Sequence, residues 1–258
     1  NDPKKLRLIS TENHKPGILL DYGREIHGGI KISMGIKPDK APIKIRVRFG
    51  ESAMEAMSSV GDKNATNEHS LRDFIIEVPW LGSIEVGETG FRFVRIDLVD
   101  SGINMPLYAV QAAFIYRDLP YLGTFESNDE RLNEIWEVGA YTVHLNMQDY
   151  LWDGIKRDRL VWVGDLHPEI MTVASVFGNN DVVPRSLDLA RDQHPLPQWM
   201  NTISSYSMWW LIIHKQWFDN YGDLEYLQEQ EEYMIALLDQ LETFIDELNS
   251  SGLYQLPL

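Results

Sequence analysis

The sequence predicts a multi-domain β-plus-α chain, an antiparallel β-sandwich followed by a helical domain. Three observations predict it. Apolar residues recur with a period of two from Gly17 to Tyr116, and the short runs they form are punctuated by Gly and Pro. After Arg117-Asp118-Leu119-Pro120 the period becomes 3.6. The join Tyr221-Gly222-Asp223 then sits between two long helical patterns, as the turn of an αα-hairpin does.

Residues 1–17 are polar, carry Pro3 and Pro16, and read as a lead-in or linker. The β-sandwich domain is expected over 18–118. Ile18–Tyr22 and Gly28–Met34 are its first strands, and Ile43–Gly50 alternates apolar with basic residues, as a half-buried strand requires. Phe74–Val78, Phe91–Leu98 and Leu107–Tyr116 continue the series. Met54–His69, rich in Ala, Ser, Asn and charge, reads as a loop in which Asn64, Asn67, Glu68 and His69 are available to a ligand or neighbour. Arg24, Glu25 and His27 read as turn and rim residues.

The helical domain is expected over 119–258. Ser127-Asn128-Asp129-Glu130 is a capping-box start, and Leu132, Ile135, Trp136, Gly139 and Val143 form one apolar stripe running toward Met147. His144 near its end reads as a packed histidine. Further helices are expected from Pro168 to Phe177, around Asp181 to Ala190, from Ile203 to Tyr221, and from Asp223 to Asn249. Trp199, Trp209 and Trp210 read first as core and second as sugar contacts.

The 39 acidic against 23 basic residues give a formal charge of -16, which excludes the basic footprint that nucleic acid or an anionic membrane surface needs. It also disfavours polyuronates and leaves neutral glycosides open. With no cysteine there is no disulfide framework, thiolate metal site or Cys nucleophile. No apolar run is long enough to span a bilayer, and Asn1-Asp2-Pro3-Lys4-Lys5 carries no signal core. Phosphate-cradling and nucleophile-elbow motifs are missing, and Asp165, His167 and Glu169 match no metal-site spacing, so neither cofactor nor metal is expected.

Chemistry concentrates between Tyr150 and Glu169, Y-L-W-D-G-I-K-R-D-R-L-V-W-V-G-D-L-H-P-E. Asp153, Arg157, Asp158, Asp165 and Glu169 accompany Trp152 and Trp162. Carboxylates and Arg grip hydroxyls through charge-assisted hydrogen bonds, and an indole covers the apolar face of a sugar ring. The plain alternative is a solvated loop in which Arg157 and Arg159 neutralise Asp153 and Asp158. The pattern D-G-x-x-R-D-R-x-x-W-x-G-D resembles the signature loop of the bacterial α-L-rhamnosidases, inverting glycoside hydrolases with a six-hairpin (α/α)6 barrel, which usually reads D-C-P-x-R-E-x-x-G-W-x-G-D. Asp21-Tyr22-Gly23 with Gly28-Gly29, Phe49-Gly50-Glu51 and Gly90-Phe91-Arg92-Phe93-Val94 resemble fragments of the β-domain that precedes that barrel.

The resemblance implies that 119–258 is the front part of such a barrel, completed by a remaining barrel segment of the same enzyme. It implies hydrolysis of terminal α-L-rhamnose from glycosides, with Asp158 as general acid and Asp153, Arg157, Trp162 and Asp165 binding substrate. The general base would lie outside this chain. Asp158 stands where Glu is usual, which shortens the acid by roughly 1.5 Å; Glu169 is the reserve candidate. Gly154-Ile155 in place of Cys-Pro is expected to alter only the loop backbone. The family implies a periplasmic or secreted setting, and the residues leave the cytoplasm open. The rival readings are a non-catalytic carbohydrate-binding module on a helical scaffold and another (α/α)-barrel enzyme.

Overall fold

The computed structural model describes residues 6–63 and 71–244. They divide into two compact units, residues 1–116 with 154–159 and residues 117–153 with 160–258. Asn64, Asn67, Glu68 and His69, and the end of the last expected helix with Leu248 and Gly252, lie outside the described residues.

In the first unit six described strands form one antiparallel sheet: β1 (Leu6–Ile9), β2 (Gly17–Met34), β3 (Ile43–Gly50), β4 (Asp73–Val78), β5 (Gly82–Leu98) and β6 (Asn104–Phe114). Their order is β1-β6-β2-β5-β3-β4, a single curled sheet rather than two separately bonded ones. The two strands expected at 18–22 and 28–34 are one. Its register with β5 jumps between Asp21 and Ile26, so Tyr22–Glu25 face Arg92 alone. Such a bulge bends the strand and re-aims its side chains. Leu6–Ile9, read as lead-in, is an edge strand on β6; its short L-R-L-I run pairs only because β6 presents an open edge.

The alternation read in Ile43–Gly50 holds in three dimensions. Ile43, Ile45, Val47 and Phe49 are fully buried, while on the other face Arg46 bonds Asp73 and Arg48 bonds Asp97, each at 2.8 Å. Burying a large apolar side chain contributes about 1.5–3 kcal/mol, so this one strand is a substantial share of the sheet's core. The expected loop from Met54 begins instead as a short helix, α1 (Ala53–Met57). Ser52 caps it by accepting from Glu55 N at 3.2 Å, and the Glu55 carboxylate accepts from Glu51 N at 2.9 Å.

In the second unit the helices are α2 (Glu130–Asn146), α3 (Val163–Val176), α4 (Val182–Gln193), α5 (Ser204–Tyr221), α6 (Leu224–Glu229) and α7 (Glu231–Glu242). Asp129, not Ser127, caps α2, accepting from Arg131 N at 2.9 Å. Helix α3 starts five residues before Pro168, which therefore lies inside it. What starts it is an outside acceptor: Asn201 Oδ1 takes the Val163 N–H at 3.0 Å. Gly222, with φ of 64°, ends α5, as the sequence expects. The long final helix is broken at Gln230, which is fully buried and gives its side chain to Asp188 and Arg191. The helical core gathers Met147, Leu151, Val163, Leu166, Val173, Trp210, Ile213 and Trp217. Among the described residues no helix is long and apolar enough to cross a membrane.

Gly28 has a φ of +141°, and a Cβ there would stand 1.9 Å from the Ala113 carbonyl oxygen on β6. Gly28→Ala is therefore expected to destabilise the protein by about 3 kcal/mol or more, read as a lowered urea midpoint.

Candidate functional site

The stretch from Tyr150 to Glu169 is shared between the two units: Gly154–Arg159 belongs with the strands, while Asp153 and the residues from Leu160 onward belong with the helices.

On the helical side, Asp153 and Leu160 close the neck of that excursion. Asp153 N donates to Leu160 O at 3.0 Å, and Asp153 Oδ1 accepts from Leu160 N at 3.0 Å. Asp153 thus fixes the loop with its backbone and one carboxylate oxygen. Trp162 follows, half-buried, edge-on to Tyr206 with ring centroids 6.2 Å apart. Its place is set by Asn201, which takes the Val163 N–H and donates from Nδ2 to Val161 O at 3.1 Å. Asn201 adopts a φ of 50° to do so. No sequence signal marked it, because its role depends on a segment 40 residues away. Gly164 lets Tyr206 approach: a Cβ there would lie 2.2 Å from the ring.

Asp165 and Glu169 lie one turn apart on α3. Asp165 is exposed and Glu169 is buried. Glu169 Oε1 accepts from Asn146 Nδ2 at 3.0 Å, and Oε2 is buried without a hydrogen bond. Its carboxyl is pushed up to about 8, first by burial; the Asn146 bond opposes this, and the charges of Asp165 and Asp153 add to it. This side chain is a neutral acid at ordinary pH. The His167 ring lies 4.8 Å from that of Trp209. Trp210 is core, donating Nε1 to Leu187 O at 3.0 Å, and Trp199 packs on Phe244. His144 is packed against Tyr121 and Phe177 and bonded to Arg117 O at 2.6 Å.

On the strand side, Arg157 is exposed and Asp158 half-buried. Asp158 and Arg159 have φ of 56° and 53°. Left-handed backbone at a non-glycine residue costs on the order of 1 kcal/mol each and persists only where the surroundings impose it. Here they do. Ile155 is buried beside Gly90, where a Cβ would sit 2.8 Å from its side chain. Lys156, also buried, bonds Glu51 at 2.9 Å and Glu55 at 2.6 Å. Arg159 donates to Glu88 O at 3.0 Å. Glu25, from the β2 bulge, hydrogen-bonds Glu51 and is pushed up to about 7, first by burial and then by Glu51. Glu25 and His27 thus lie within β2 and face this loop rather than forming a rim. Ile155, which replaces the usual Pro, does more than alter the backbone: it is an anchor.

Among the described residues no three His, Asp or Glu side chains are grouped to hold a metal ion. What the two groups offer is acid–base and hydroxyl-binding chemistry, with carboxyls of which Glu169 and Glu25 are raised by burial, an Arg and an indole.

Residues 120–255 match the family described as the bacterial alpha-L-rhamnosidase 6 hairpin glycosidase domain. The chain is similar in fold to a rhamnosidase from Klebsiella oxytoca with rhamnose bound, at a TM-score of 0.80 and 19% identity over 97% of this chain and 52% of that one. It is also similar to a GH78 family rhamnosidase of Bacillus sp. GL1, with a TM-score of 0.78, 21% identity, and 98% and 27% of the two chains covered. An α-L-rhamnosidase from Dictyoglumus thermophilum gives 0.65 and 20%, covering 98% and 30%. This chain therefore spans about half or less of the length of these structures. No curated protein matches it.

Below about pH 4.5 Glu169 is protonated whether the chain is folded or not; from there to about 8 only the folded chain keeps the proton. Its contribution to stability is thus full at low pH and lost as pH rises through about 8. Glu169→Gln is expected to gain on the wild type between pH 5 and 8 by on the order of 3 kcal/mol, measured by chemical denaturation at both pH values.

Proposed function

Since the chain belongs to the bacterial α-L-rhamnosidase six-hairpin glycosidase family, we propose that it forms the front of a glycoside hydrolase that releases terminal α-L-rhamnose with inversion. The observation that carries this reading is the run Asp153, Arg157, Asp158, Trp162 and Asp165, all of it inside the matched segment. The strand unit, a single antiparallel sheet, then stands as the β-domain that precedes the barrel. Residues 119–258 open an (α/α)6 barrel that the remaining segment of the same enzyme completes.

In this reading Asp153, Arg157 and Asp165 bind the sugar hydroxyls and Trp162 faces the ring. Asp158 hands a proton to the glycosidic oxygen as the bond to the anomeric carbon breaks. A second carboxylate, outside this chain, takes a proton from water attacking the opposite face; inversion requires the two carboxyls about 6.5–9.5 Å apart. The oxocarbenium-like transition state is served by carboxylates and oriented water, without a cofactor. The net charge of -16 suits a neutral glycoside and neither nucleic acid nor an anionic membrane surface.

A second reading has Glu169 as the donor. Its support is specific: Glu169 is buried, and its carboxyl is raised to about 8, so it holds a proton at neutral pH.

The two are separated in an enzyme that carries this chain. Asp158→Asn is expected to lower kcat by about 100-fold or more on α-L-rhamnosides with poor leaving groups, and much less with nitrophenyl leaving groups. Glu169→Gln should leave that leaving-group dependence in place. The reverse pattern moves the donor to Glu169, and retention of configuration in the first-formed rhamnose, read by NMR, would sink the inverting mechanism.

A further inference from the structure

We infer that Lys156 is a positioning residue, clamped by Glu51 and Glu55 so that the strand unit holds the loop carrying Arg157 and Asp158 in its working conformation. Three observations meet at this point. Lys156 is a buried cation one residue before Arg157 and two before Asp158, and it lies 2.9 and 2.6 Å from two carboxylates supplied by the end of β3 and by α1. An ammonium out of water is retained only with such partners.

The neighbours of Lys156 are anchored to the same sheet. Ile155 is buried at Gly90, its backbone is bonded by His27, and Arg159 donates to Glu88 O. Between these anchors Asp158 and Arg159 hold left-handed φ that their side chains do not favour. The strain lies where the anchors meet, so the anchors impose the conformation, and Lys156 is their charged centre.

The charges of the cluster also depend on Lys156. Glu55 contacts Arg72 at 3.5 Å as well as Lys156, and Glu25 adds a third carboxyl through Glu51. Lys156 and Arg72 are thus the cations that face this group of carboxyls. Replacing Lys156 by an apolar residue leaves Glu51 and Glu55 with one cation too few and removes the loop's central tether.

The effect on catalysis rests on the reading of Asp158 as proton donor; the effect on the loop does not. The test compares wild type, Lys156→Met and Lys156→Arg by hydrogen–deuterium exchange of the intact chain. Kinetics on an aryl α-L-rhamnoside follow in an enzyme that carries the chain. Exchange over residues 154–160 is expected to quicken about tenfold in Lys156→Met with β3 and β5 unchanged, and Lys156→Arg to restore most of the protection. In the enzyme, kcat/KM is expected to fall about tenfold or more, as displacement of a reacting group and of the sugar-binding Arg157 beside it predicts.

Unaltered exchange in the loop overturns the inference. So does a loss of activity that Lys156→Arg fails to recover. If Lys156→Met unfolds the sheet, Arg159→Met, which removes a single outer anchor, is judged by the same exchange criterion. If wild type cleaves no rhamnoside, the functional reading fails, and the exchange result alone decides the clamp.

Discussion

A short charged loop has no reason of its own to hold one shape, and everything proposed for this protein depends on the anchors that give Gly154–Arg159 one. The reciprocal bonds between Asp153 and Leu160 close its neck. Ile155, Lys156 and Arg159 then tie its body to strands and to α1. A six-residue excursion would otherwise sample many conformations, at roughly 1–2 kcal/mol of backbone entropy for each residue ordered. That three of its six residues carry an anchor is what lets Asp158 and Arg159 stay left-handed.

Both units solve the problem of buried carboxyls by the same physics. Glu169 in α3 and Glu25 in the β2 bulge are each surrounded by other acids and withdrawn from water, and each holds its proton well above the usual carboxylate range. Neither state is visible in a composition of -16, which counts both as charged. Burial separates them from Asp165, which sits one turn from Glu169 and remains exposed. Two carboxyls one turn apart on one helix thus stand in different surroundings, because only one of them is withdrawn from water.

Much of the fold was legible because its signals are local. The alternation in Ile43–Gly50 and the Gly222-Asp223 hairpin turn depend on neighbouring residues, and they appear where the pattern put them. What failed was set by distant partners. Pro168 reads as a helix start, yet Asn201 starts the helix five residues earlier. Gln230, whose side chain is bonded to Asp188 and Arg191, interrupts a continuous helical pattern. The capping pair Ser52 and Glu55 was in the sequence, but charge and small residues around it made the stretch look like a loop.

The sequence by itself determined the residue types and order of the acidic loop, the period change after Pro120 and hence the β-then-α arrangement, since each is a property of neighbours along the chain. Only the tertiary structure decided which carboxyls keep their protons, that Lys156 is buried between Glu51 and Glu55, and that Asn201 flanks Trp162. Desolvation and charge pairing are set by side chains tens of residues apart, and no local pattern records them.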